Sequence, residues 1–569
     1  MSWIFGFIGA SLSRSRREGL AAFHPKGTVY RGASYYVAVG GPAATTRHGR
    51  HGNGGWAVCG LGLRVGTDAT TLLDAADWRR LLAFPAPPLD TLDGHFVAAR
   101  WTEGHAELFA DPLGVRTLYL TTLPDGVAFG TRPIDLARLA GGTVDLETFG
   151  AHWLTFNLLA PLSPIRGLTR LGPGGHARCT PDRFTLSAKP WTPLETPGDP
   201  DAFRRTLQAL LRPHLPAGRT TSLGLSGGLD SRLLLALLPP GTWQAHTFGP
   251  PDHPDVRVAR RLAAAAGLPH RHLCEPVPDA ETCLTLLREH AALTHVISPA
   301  STALGGRYYA RLARDEAFLI DGGFGEVARR QFFNRLLRRG RPALRHRTPG
   351  ETILRFLRVE RADVFTPEAI AQMEAGALRQ LAATWHTLPP AETLGPEAFL
   401  DLLGVRTRLP NFFGFEQNRL DALLPGYMPF AQPSLLRAVF QIPLRLRKNG
   451  RLFRRLIRDA APALTRYPLV KGDQPYPFSL PTVPAILWTR ARARLRPGPG
   501  DPVRRAFLDV MRPFALEAAL EASRHFPAYD ARKLQVLVES YYAGKEHLAG
   551  AVDWWLAFEV WRREVEPPR

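Results

Sequence analysis

Residues 226–231 read Ser226-Gly227-Gly228-Leu229-Asp230-Ser231, between an apolar run at 221–225 and a leucine-rich run at 232–238. A strand, a two-glycine turn and a helix start together leave free backbone N–H groups and a helix N-terminus facing an anion. No lysine follows the glycines, unlike the G-x-x-x-x-G-K-[ST] loop. The stretch therefore predicts a pyrophosphate-binding loop and a reaction at the α-phosphate of ATP. The alternative is a flexible turn before a helix.

Each side chain of this loop has a predicted role. The glycines let the backbone approach the ligand without a Cβ clash, and the two serine hydroxyls can donate to phosphate oxygens. Asp230 would repel a bare phosphate, so its presence indicates a divalent cation, for which we expect magnesium. The predicted nucleotide contacts in this loop are Leu225, Ser226, Gly227, Gly228, Asp230 and Ser231.

The sequence after the loop predicts a parallel sheet. A second strand is expected at 245–249 and a helix at 255–266, closed by Gly267, while another helix over 201–211, capped by Asp199, precedes the loop. Strand and helix alternation predicts an α/β unit whose ligands gather at the carboxyl ends of the strands. Thr247, Phe248 and Gly249 stand at such an end and are predicted adenosine contacts; a buried strand end is the alternative.

A third strand, 317–320, ends in Asp321-Gly322-Gly323-Phe324-Gly325-Glu326, after which a helix is expected. Gly322 and Gly323 again bring backbone close to a ligand. A magnesium ion held by Asp230, Asp321 and Glu326 would neutralise the departing pyrophosphate. The alternative is an Asp-Gly turn with a helix-capping glutamate.

Lysine is scarce in this chain, which makes Lys471 in a glycine-bounded loop conspicuous. Its ammonium group could stabilise the negative charge that develops when an amine attacks an acyl-adenylate. A surface lysine is the ordinary alternative.

The N-terminal third predicts a different architecture. Short runs at 96–101, 106–110, 117–121 and 127–130 are separated by turn residues, which is typical of an antiparallel meander, and 3–12 is a further strand. A proline-rich passage at 189–200 predicts a boundary between domains at 1–188 and 200–569. Helical patterns dominate from about residue 285, and 553–561 predicts a packed helix.

Composition narrows the classes further. A chain of 569 residues with 45% hydrophobic and 21% charged residues is typical of a multidomain globular protein. The net charge of +20 is carried almost wholly by arginine. We expect no nucleic-acid partner, because aromatic residues are not interleaved in the arginine cluster at 329–341. Four scattered cysteines favour a reducing cytoplasm over zinc or disulfides, and no apolar run is long enough to predict a membrane span.

The chain resembles the asparagine synthetase family. The N-terminal segments that carry the resemblance are 1–9, 93–96 and 110–119, and the C-terminal ones are 226–231, 321–326, 415–416, 428–430 and 466–471. The resemblance implies an Ntn-hydrolase-like glutaminase domain, built as an antiparallel-sheet sandwich, followed by an α/β ATP-pyrophosphatase synthetase domain with a large helical C-terminal part. It also implies ATP and Mg²⁺ as cofactors.

Departures from the family pattern concern the glutaminase site. The family's nucleophilic cysteine at position 2 is Ser2 here, and the nearest matches to its glutamine-holding segments, 31–33 and 53–55, lack the carboxylate that grips the substrate's amine. We therefore expect no glutaminase activity. The synthetase loop departs as well, since Phe324 cannot accept a proton; the base would be Glu326, Asp321, Glu416 or the substrate itself.

β-Lactam synthetase and the lasso-peptide cyclases, which this chain resembles, have lost the same residues of the glutaminase site. The resemblance implies an ATP-dependent amide ligase that closes a ring through an acyl-adenylate, on a small-molecule or peptide carboxylate that carries its own amine. A peptide carrier or leader-binding partner is a further expectation. The alternatives are an asparagine synthetase using ammonia or glutamine, a tRNA-modifying enzyme with the same ATP loop, and a non-catalytic scaffold.

Overall fold

The computed structural model describes residues 2–23, 26–193, 200–216, 218–295, 298–346, 348–495 and 500–567. Asp199, the predicted helix cap, lies outside these residues.

The N-terminal third forms two packed sheets whose strands are antiparallel. Their strands are β1 (Trp3–Gly9), β2 (Thr28–Arg31), β3 (Tyr35–Gly40), β4 (Thr46–His51), β5 (Gly54–Val65), β6 (Thr70–Leu72), β7 (Asp93–Thr102), β8 (His105–Ala110), β9 (Leu118–Leu123), β10 (Gly126–Gly130), β11 (Thr169–Leu171), β12 (Gly175–Cys179) and β13 (Phe184–Ala188). The helices are α1 (Arg14–Ala22), α2 (Ala75–Leu82), α3 (Pro133–Ala140) and α4 (Leu146–Leu154). One sheet has the order β11-β9-β10-β1-β3-β2, and the other runs β13-β12-β8-β7-β5-β6, with β4 also on β5.

The space between the sheets is filled by inward-facing apolar side chains such as Ile4, Val37, Val97 and Phe129. Alternation along each strand places these side chains on one face, which is how a sandwich buries its core. The predicted antiparallel sandwich is confirmed.

The expected four-stranded meander is wrong in one respect. β7 pairs with β8 in one sheet, whereas β9 pairs with β10 in the other. The turn between the two hairpins explains this, because the Asp111 carboxylate accepts hydrogen bonds from the backbone N–H groups of Leu113, Val115 and Arg116. This compact loop carries the chain across the sandwich.

The rest of the chain contains a parallel sheet and many helices. The strands are β14 (Pro213–His214), β15 (Thr221–Gly224), β16 (Trp243–Phe248), β17 (His270–Leu273), β18 (Phe318–Ile320), β19 (Gly426–Tyr427), β20 (Leu469–Lys471) and β21 (Gln474–Tyr476). The helices are α5 (Pro200–Leu210), α6 (Leu229–Ala236), α7 (Pro254–Ala265), α8 (Ala280–Leu293), α9 (Gly305–Arg314), α10 (Asn334–Arg339), α11 (Glu351–Leu357), α12 (Pro367–His386), α13 (Ala391–Leu394), α14 (Pro396–Arg408), α15 (Gly414–Leu420), α16 (Pro433–Gln441), α17 (Leu444–Arg447), α18 (Arg451–Ala460), α19 (Thr482–Leu495), α20 (Pro502–Val510), α21 (Arg512–His525), α22 (Ala531–Tyr542) and α23 (Ala549–Val565).

The parallel sheet has the strand order β17-β16-β15-β18-β19. The order reverses between β15 and β18, so the chain leaves these neighbouring strands in opposite directions and opens a crevice at their carboxyl ends. The predicted α/β unit is confirmed, and its ligand-binding crevice lies between the two loops that the sequence singles out.

One helix prediction in this region is wrong. No helix begins after Glu326; residues 323–330 form successive turns, and α10 begins only at Asn334. Phe324, Arg330 and Phe333 have left-handed backbone angles, with φ of 67°, 53° and 53°. These angles prevent a helix from propagating through the segment. Packing of Phe324 and Phe333 against the core holds the segment in this conformation.

The C-terminal helices pack against the N-terminal sheets. The helix predicted around 553–561 is α23, whose Trp555 and Trp561 are buried in a core shared with Phe5 of β1. In the described part of the chain, no helix has the length and apolar character needed to cross a bilayer. Since β14 also joins the N-terminal sheet beside β6, the two halves are in extensive contact; the boundary at 188–200 stays a prediction.

Candidate active site

The loop at 226–231 and the edge at 321–326 meet in the crevice. β15 ends at Gly224 and its parallel neighbour β18 ends at Ile320, so both loops leave the same edge of the sheet. A Cβ on Gly325 would lie 2.4 Å from Cγ of Asp230, and one on Gly322 would lie 3.1 Å from the Ser231 nitrogen. A side chain at position 325 would collide with Asp230, and one at position 322 would be tight, because the two loops are in direct contact.

The predicted phosphate loop has the expected local structure. Helix α6 begins at Leu229 with Gly228 as its extended N-cap, so the first N–H groups of the helix are free to face an anion. The Ser226 hydroxyl accepts a hydrogen bond from the Gly228 N–H at 3.1 Å and lies 3.1 Å from the Ser231 hydroxyl. The loop is therefore organised by its own serines.

Two further contacts fix Gly227. Its N–H donates to the Asp255 carboxylate at 2.8 Å, and its carbonyl accepts from the N–H of Val470 at 3.0 Å. Arg232, which is fully buried, donates to the carbonyls of Tyr467 and Pro468 at 2.7 and 2.5 Å. The β20–β21 hairpin is thus fastened to the phosphate loop.

Lys471 follows Val470 at the end of β20 and is solvent-accessible. Desolvation by the surrounding protein, followed by the charges of Arg329 and Arg490, lowers the pKa of Lys471. The structure therefore brings this lysine next to the loop at 226–231, across 240 residues of sequence.

Asp230 has an ion-pair partner that sequence reasoning missed. Its Oδ2 accepts a hydrogen bond from Arg329 at 2.5 Å, and the two side chains are 18% and 12% exposed. Burial raises the pKa of Asp230 to about 6, against the opposing charge of Arg329, and the neighbouring carboxylates Glu326 and Asp321 raise it further. The three predicted metal ligands therefore lie close enough to repel one another.

The residues present fit a magnesium ion. Oδ1 of Asp230 is buried and, within the described residues, has no hydrogen-bond partner. Such an acceptor, beside carboxylates that repel it, is what a hard cation neutralises. Among the described residues no cluster of three or more potential ligand side chains is arranged to hold a metal by itself. Magnesium commonly binds through one or two carboxylates together with substrate phosphates, so the predicted site needs the nucleotide.

Asp321 lies at the edge of the sheet, where its Oδ1 accepts from the Gly323 N–H at 2.6 Å. Burial, and secondarily the charge of Glu326, raises the pKa of Asp321. A carboxylate with a raised pKa is a better proton acceptor near neutral pH than an ordinary aspartate.

Thr247 and Phe248 end β16, and Gly249 follows it, beside the phosphate loop. The Thr247 hydroxyl donates to the carbonyl of Leu225 at 2.7 Å, and the Phe248 ring stacks on Tyr308. Leu225 itself is buried and donates its N–H to His246. These residues are near enough to border a nucleotide, but their contacts already join strands, and their adenosine role stays a prediction.

Glu416 lies on α15. It pairs with Arg419 at 3.1 Å at the wall of a cavity of about 570 Å³ between α8, α9 and α15. Tyr309 lines the same cavity, and burial together with the charges of Asp321 and Glu416 raises the pKa of Tyr309. Tyr309 therefore links the cavity to the edge of the sheet.

The residue at position 2 is enclosed. Ser2 is fully buried, and the Arg116 guanidinium donates to its carbonyl at 2.5 Å and to its hydroxyl at 3.2 Å. Arg116 also reaches Asn418 on α15, at 2.9 Å. The segment 93–95 docks in the same way, since His95 contacts Asp421 at 2.9 Å. Ser2, which stands where the family has its nucleophile, is therefore buried beside the contact between Arg116 and the C-terminal half.

Sequence reasoning missed Arg329, Asp255, Arg232 and Tyr309. Arg329 belongs to an arginine cluster that the sequence places on a basic surface, and no local pattern distinguishes it from Arg338 or Arg339. Its partner Asp230 lies 99 residues earlier, so only the fold reveals the pair.

Comparison with known proteins covers part of the chain. Residues 202–316 match the family model described as asparagine synthase. This range includes 226–231 and 247–249 and ends just before the edge at 321–326. No curated protein matches the sequence.

The solved structures that resemble the chain include a glutamine phosphoribosylpyrophosphate (PRPP) amidotransferase from B. subtilis complexed with ADP and GMP. The two structures have a TM-score of 0.22 and 12% sequence identity, and the match covers 56% of this chain and 81% of that one. The part of the chain at residues 202–316 is therefore similar to the asparagine synthase family.

Proposed function

We propose that this protein activates a carboxylate as an acyl-adenylate, releases pyrophosphate, and joins the carboxylate to an amine on the same substrate with release of AMP. The observation that carries the proposal is the convergence of three separate segments, 226–231, 321–326 and the β20–β21 hairpin, at the point where the strand order of the parallel sheet reverses. Adenylation needs the outer phosphates held and the innermost one left open to attack, and a glycine loop at a helix N-terminus suits the first task.

The loop residues would bind and orient the outer phosphates through the N–H groups that begin α6 and the hydroxyls of Ser226 and Ser231. Asp230 and Asp321, with Glu326 beside them, would hold magnesium, which supplies charge neutralisation of the departing pyrophosphate when it is bound. Lys471 would stabilise negative charge at the reacting centre. Its position beside Gly227 supports this role.

Removal of a proton from the attacking amine needs a base. Asp321, whose pKa burial raises, is a candidate only where Asp230 and Glu326 hold the magnesium, because a bound cation lowers the pKa of its own ligand. Glu326 and Glu416 remain candidates, and Glu416 would act on a substrate that occupies the cavity of about 570 Å³.

The source of the amine follows from the N-terminal half. Enclosure of Ser2 by Arg116 supports the absence of glutamine hydrolysis, since a nucleophile must reach its substrate. A substrate that carries its own amine then makes ring closure the expected outcome, as in a cyclised peptide or a β-lactam. We propose an inactive glutaminase-like domain at 1–188 and a synthetase domain at 200–569, in the cytoplasm.

Pyrophosphate exchange tests the proposal. The full chain is incubated with MgATP and a panel of amino acids and short peptides bearing both a carboxylate and a free amine, and we expect exchange and AMP, with no ADP. Asp230→Asn should lower the exchange rate by about 100-fold or more, since electrostatic stabilisation of this kind typically has that magnitude. Exposed Asp252→Asn is the matched control. Exchange that is undiminished in Asp230→Asn, or absent throughout the panel, would contradict the proposal.

Asparagine synthesis is the second candidate, and the match of 202–316 to the asparagine synthase family favours it. Aspartate, MgATP and ammonium supply everything this reaction needs. Formation of asparagine from this mixture would displace the ring-closing proposal while leaving the adenylation step intact.

A further inference from the structure

A groove of about 600 Å³ lies behind the β20–β21 hairpin, between the hairpin, the end of α18 and α19. Its walls carry four aromatic side chains, Tyr467, Tyr476, Phe478 and Trp488. Prolines at 468, 475 and 477 separate these aromatics along the hairpin and stiffen the wall. The groove therefore offers a rigid apolar surface to a ligand.

The charge of the groove has one sign. Arg458, Arg466 and Arg492 line it, and no aspartate or glutamate does. Within the described residues none of these three guanidinium groups makes an ion pair or a hydrogen bond. Arg232 and Arg454 lie 5.6 and 5.7 Å from the centre of the Phe478 ring and add positive charge beneath the floor. A ligand that complements this groove is negatively charged.

Helix α19 presents an unpartnered apolar surface beside the groove. Of its described side chains, Ala485 and Thr489 alone are buried, whereas Leu487 and Trp488 are 65% and 46% exposed. Large apolar side chains so exposed on a basic helix are typical of a contact surface.

We propose that the groove binds an acidic peptide segment bearing an aromatic or prolyl side chain. The aromatic walls match the apolar side chain, and the three free guanidinium groups match carboxylates, each of which an arginine can bind with two hydrogen bonds. The groove shares Tyr467 and Pro468 with the contact that fastens the hairpin to the phosphate loop, so the bound segment lies next to Lys471 without entering the nucleotide site.

A peptide suits the groove better than single-stranded nucleic acid. Base stacking along a strand needs several open ring faces in succession. Here Phe478 is buried and flanked by two guanidinium groups, and of the four rings Trp488 alone counts as exposed. One open ring and a volume of about 600 Å³ accommodate a few peptide side chains.

Fluorescence anisotropy tests the proposal without nucleotide, so its result is independent of ligase activity. The probe is a fluorescein-labelled decapeptide of glutamates with one tryptophan and one proline, compared with the same peptide in which lysine replaces glutamate. We expect the acidic peptide to bind and the lysine peptide not to bind, and we expect added salt to weaken the binding of the acidic peptide. The double charge reversal Arg466→Glu/Arg492→Glu should weaken it about tenfold or more.

The matched control is Arg524→Glu/Arg532→Glu, which changes the net charge equally at exposed positions on α21 and α22. Trp488→Ala, at a side chain that is 46% exposed, provides a second test that does not change charge. Equal loss in both double variants, an unchanged affinity in Trp488→Ala, no binding of the acidic peptide, or tighter binding of a labelled ten-nucleotide oligothymidylate would each overturn the proposal.

Discussion

Lys471 has two arginines as electrostatic neighbours, Arg329 in the crevice and Arg490 on α19. Desolvation, and secondarily these like charges, favour the neutral amine, so the ammonium form is lost at a lower pH than in an ordinary lysine. If the proposed reaction needs the charged form, activity must fall as the pH rises through this lowered pKa.

Replacement of Arg490 by alanine should therefore shift the alkaline limb of the kcat/KM profile to higher pH, because it removes one of the charges that lower the pKa of Lys471. Lys471→Ala should reduce kcat/KM by about 100-fold. Arg494→Ala, at an exposed position on the same helix, serves as the control. A profile that moves equally in both arginine variants would argue against a titrating Lys471.

Between elements, a close junction joins β20 to the phosphate loop. A Cβ on Gly227 would lie 2.5 Å from Cγ2 of Val470 and 2.8 Å from Oδ1 of Asp255. Gly227→Ala must displace one of these partners, so we expect a loss of about 1–3 kcal/mol in stability and weaker ATP binding. Calorimetric titration with MgATP and thermal melting measure both effects. Gly19→Ala, where nothing lies within 4 Å, should leave ATP binding unchanged and should not lower stability, because Gly19 lies inside helix α1 and alanine favours a helix.

A second junction joins β7 to the start of α16. The Asp93 carboxylate accepts from the Ser434 N–H at 2.7 Å, and burial raises the pKa of Asp93 from 3.8 to about 6. Between these values the folded protein keeps a proton that the unfolded chain has released, so the contribution of Asp93 to stability falls as the pH rises through this window and stays low above it.

Asp93→Asn removes the ionisable carboxyl and with it the loss of stability at neutral pH. We expect the variant to be more stable than the parent at pH 7 by on the order of 1–3 kcal/mol, with the gain shrinking towards pH 5. Thermal midpoints at the two pH values give the comparison, with exposed Asp68→Asn as the control. A gain that is the same at both values would show that the charge of Asp93 is not the cause.

At the scale of the whole molecule, two hydrophobic cores cross the predicted boundary. One combines Leu63 and Val115 with Phe203 of α5, and the other combines Phe5 with Trp555 and Trp561 of α23. A fragment comprising 200–569 would expose these surfaces, so we expect it to be insoluble alone and soluble when coexpressed with 1–193. A soluble fragment that melts cooperatively on its own would contradict this expectation.

The sequence predicts those features that depend on neighbouring residues. The strand, glycine turn and helix around 226–231, the sandwich strands and the family resemblance all arise from short patterns. The ion pair between Asp230 and Arg329 and the contact between Arg116 and Ser2 join residues 99 and 114 positions apart, and no periodicity encodes them. The missing helix after Glu326 has a similar cause, because tertiary burial of aromatic side chains overrides local helix preference.

Arg232 has a consequence for how the protein fails on heating. Its single guanidinium group joins α6, which begins at the crevice, to the residues just before β20, the strand that presents Lys471. Warming that loosens the hairpin must also leave a charge stranded in the interior, so the hairpin and the crevice should come apart together. We therefore expect activity to be lost at the same temperature at which the protein unfolds, without a range of temperature in which the protein is folded but inactive.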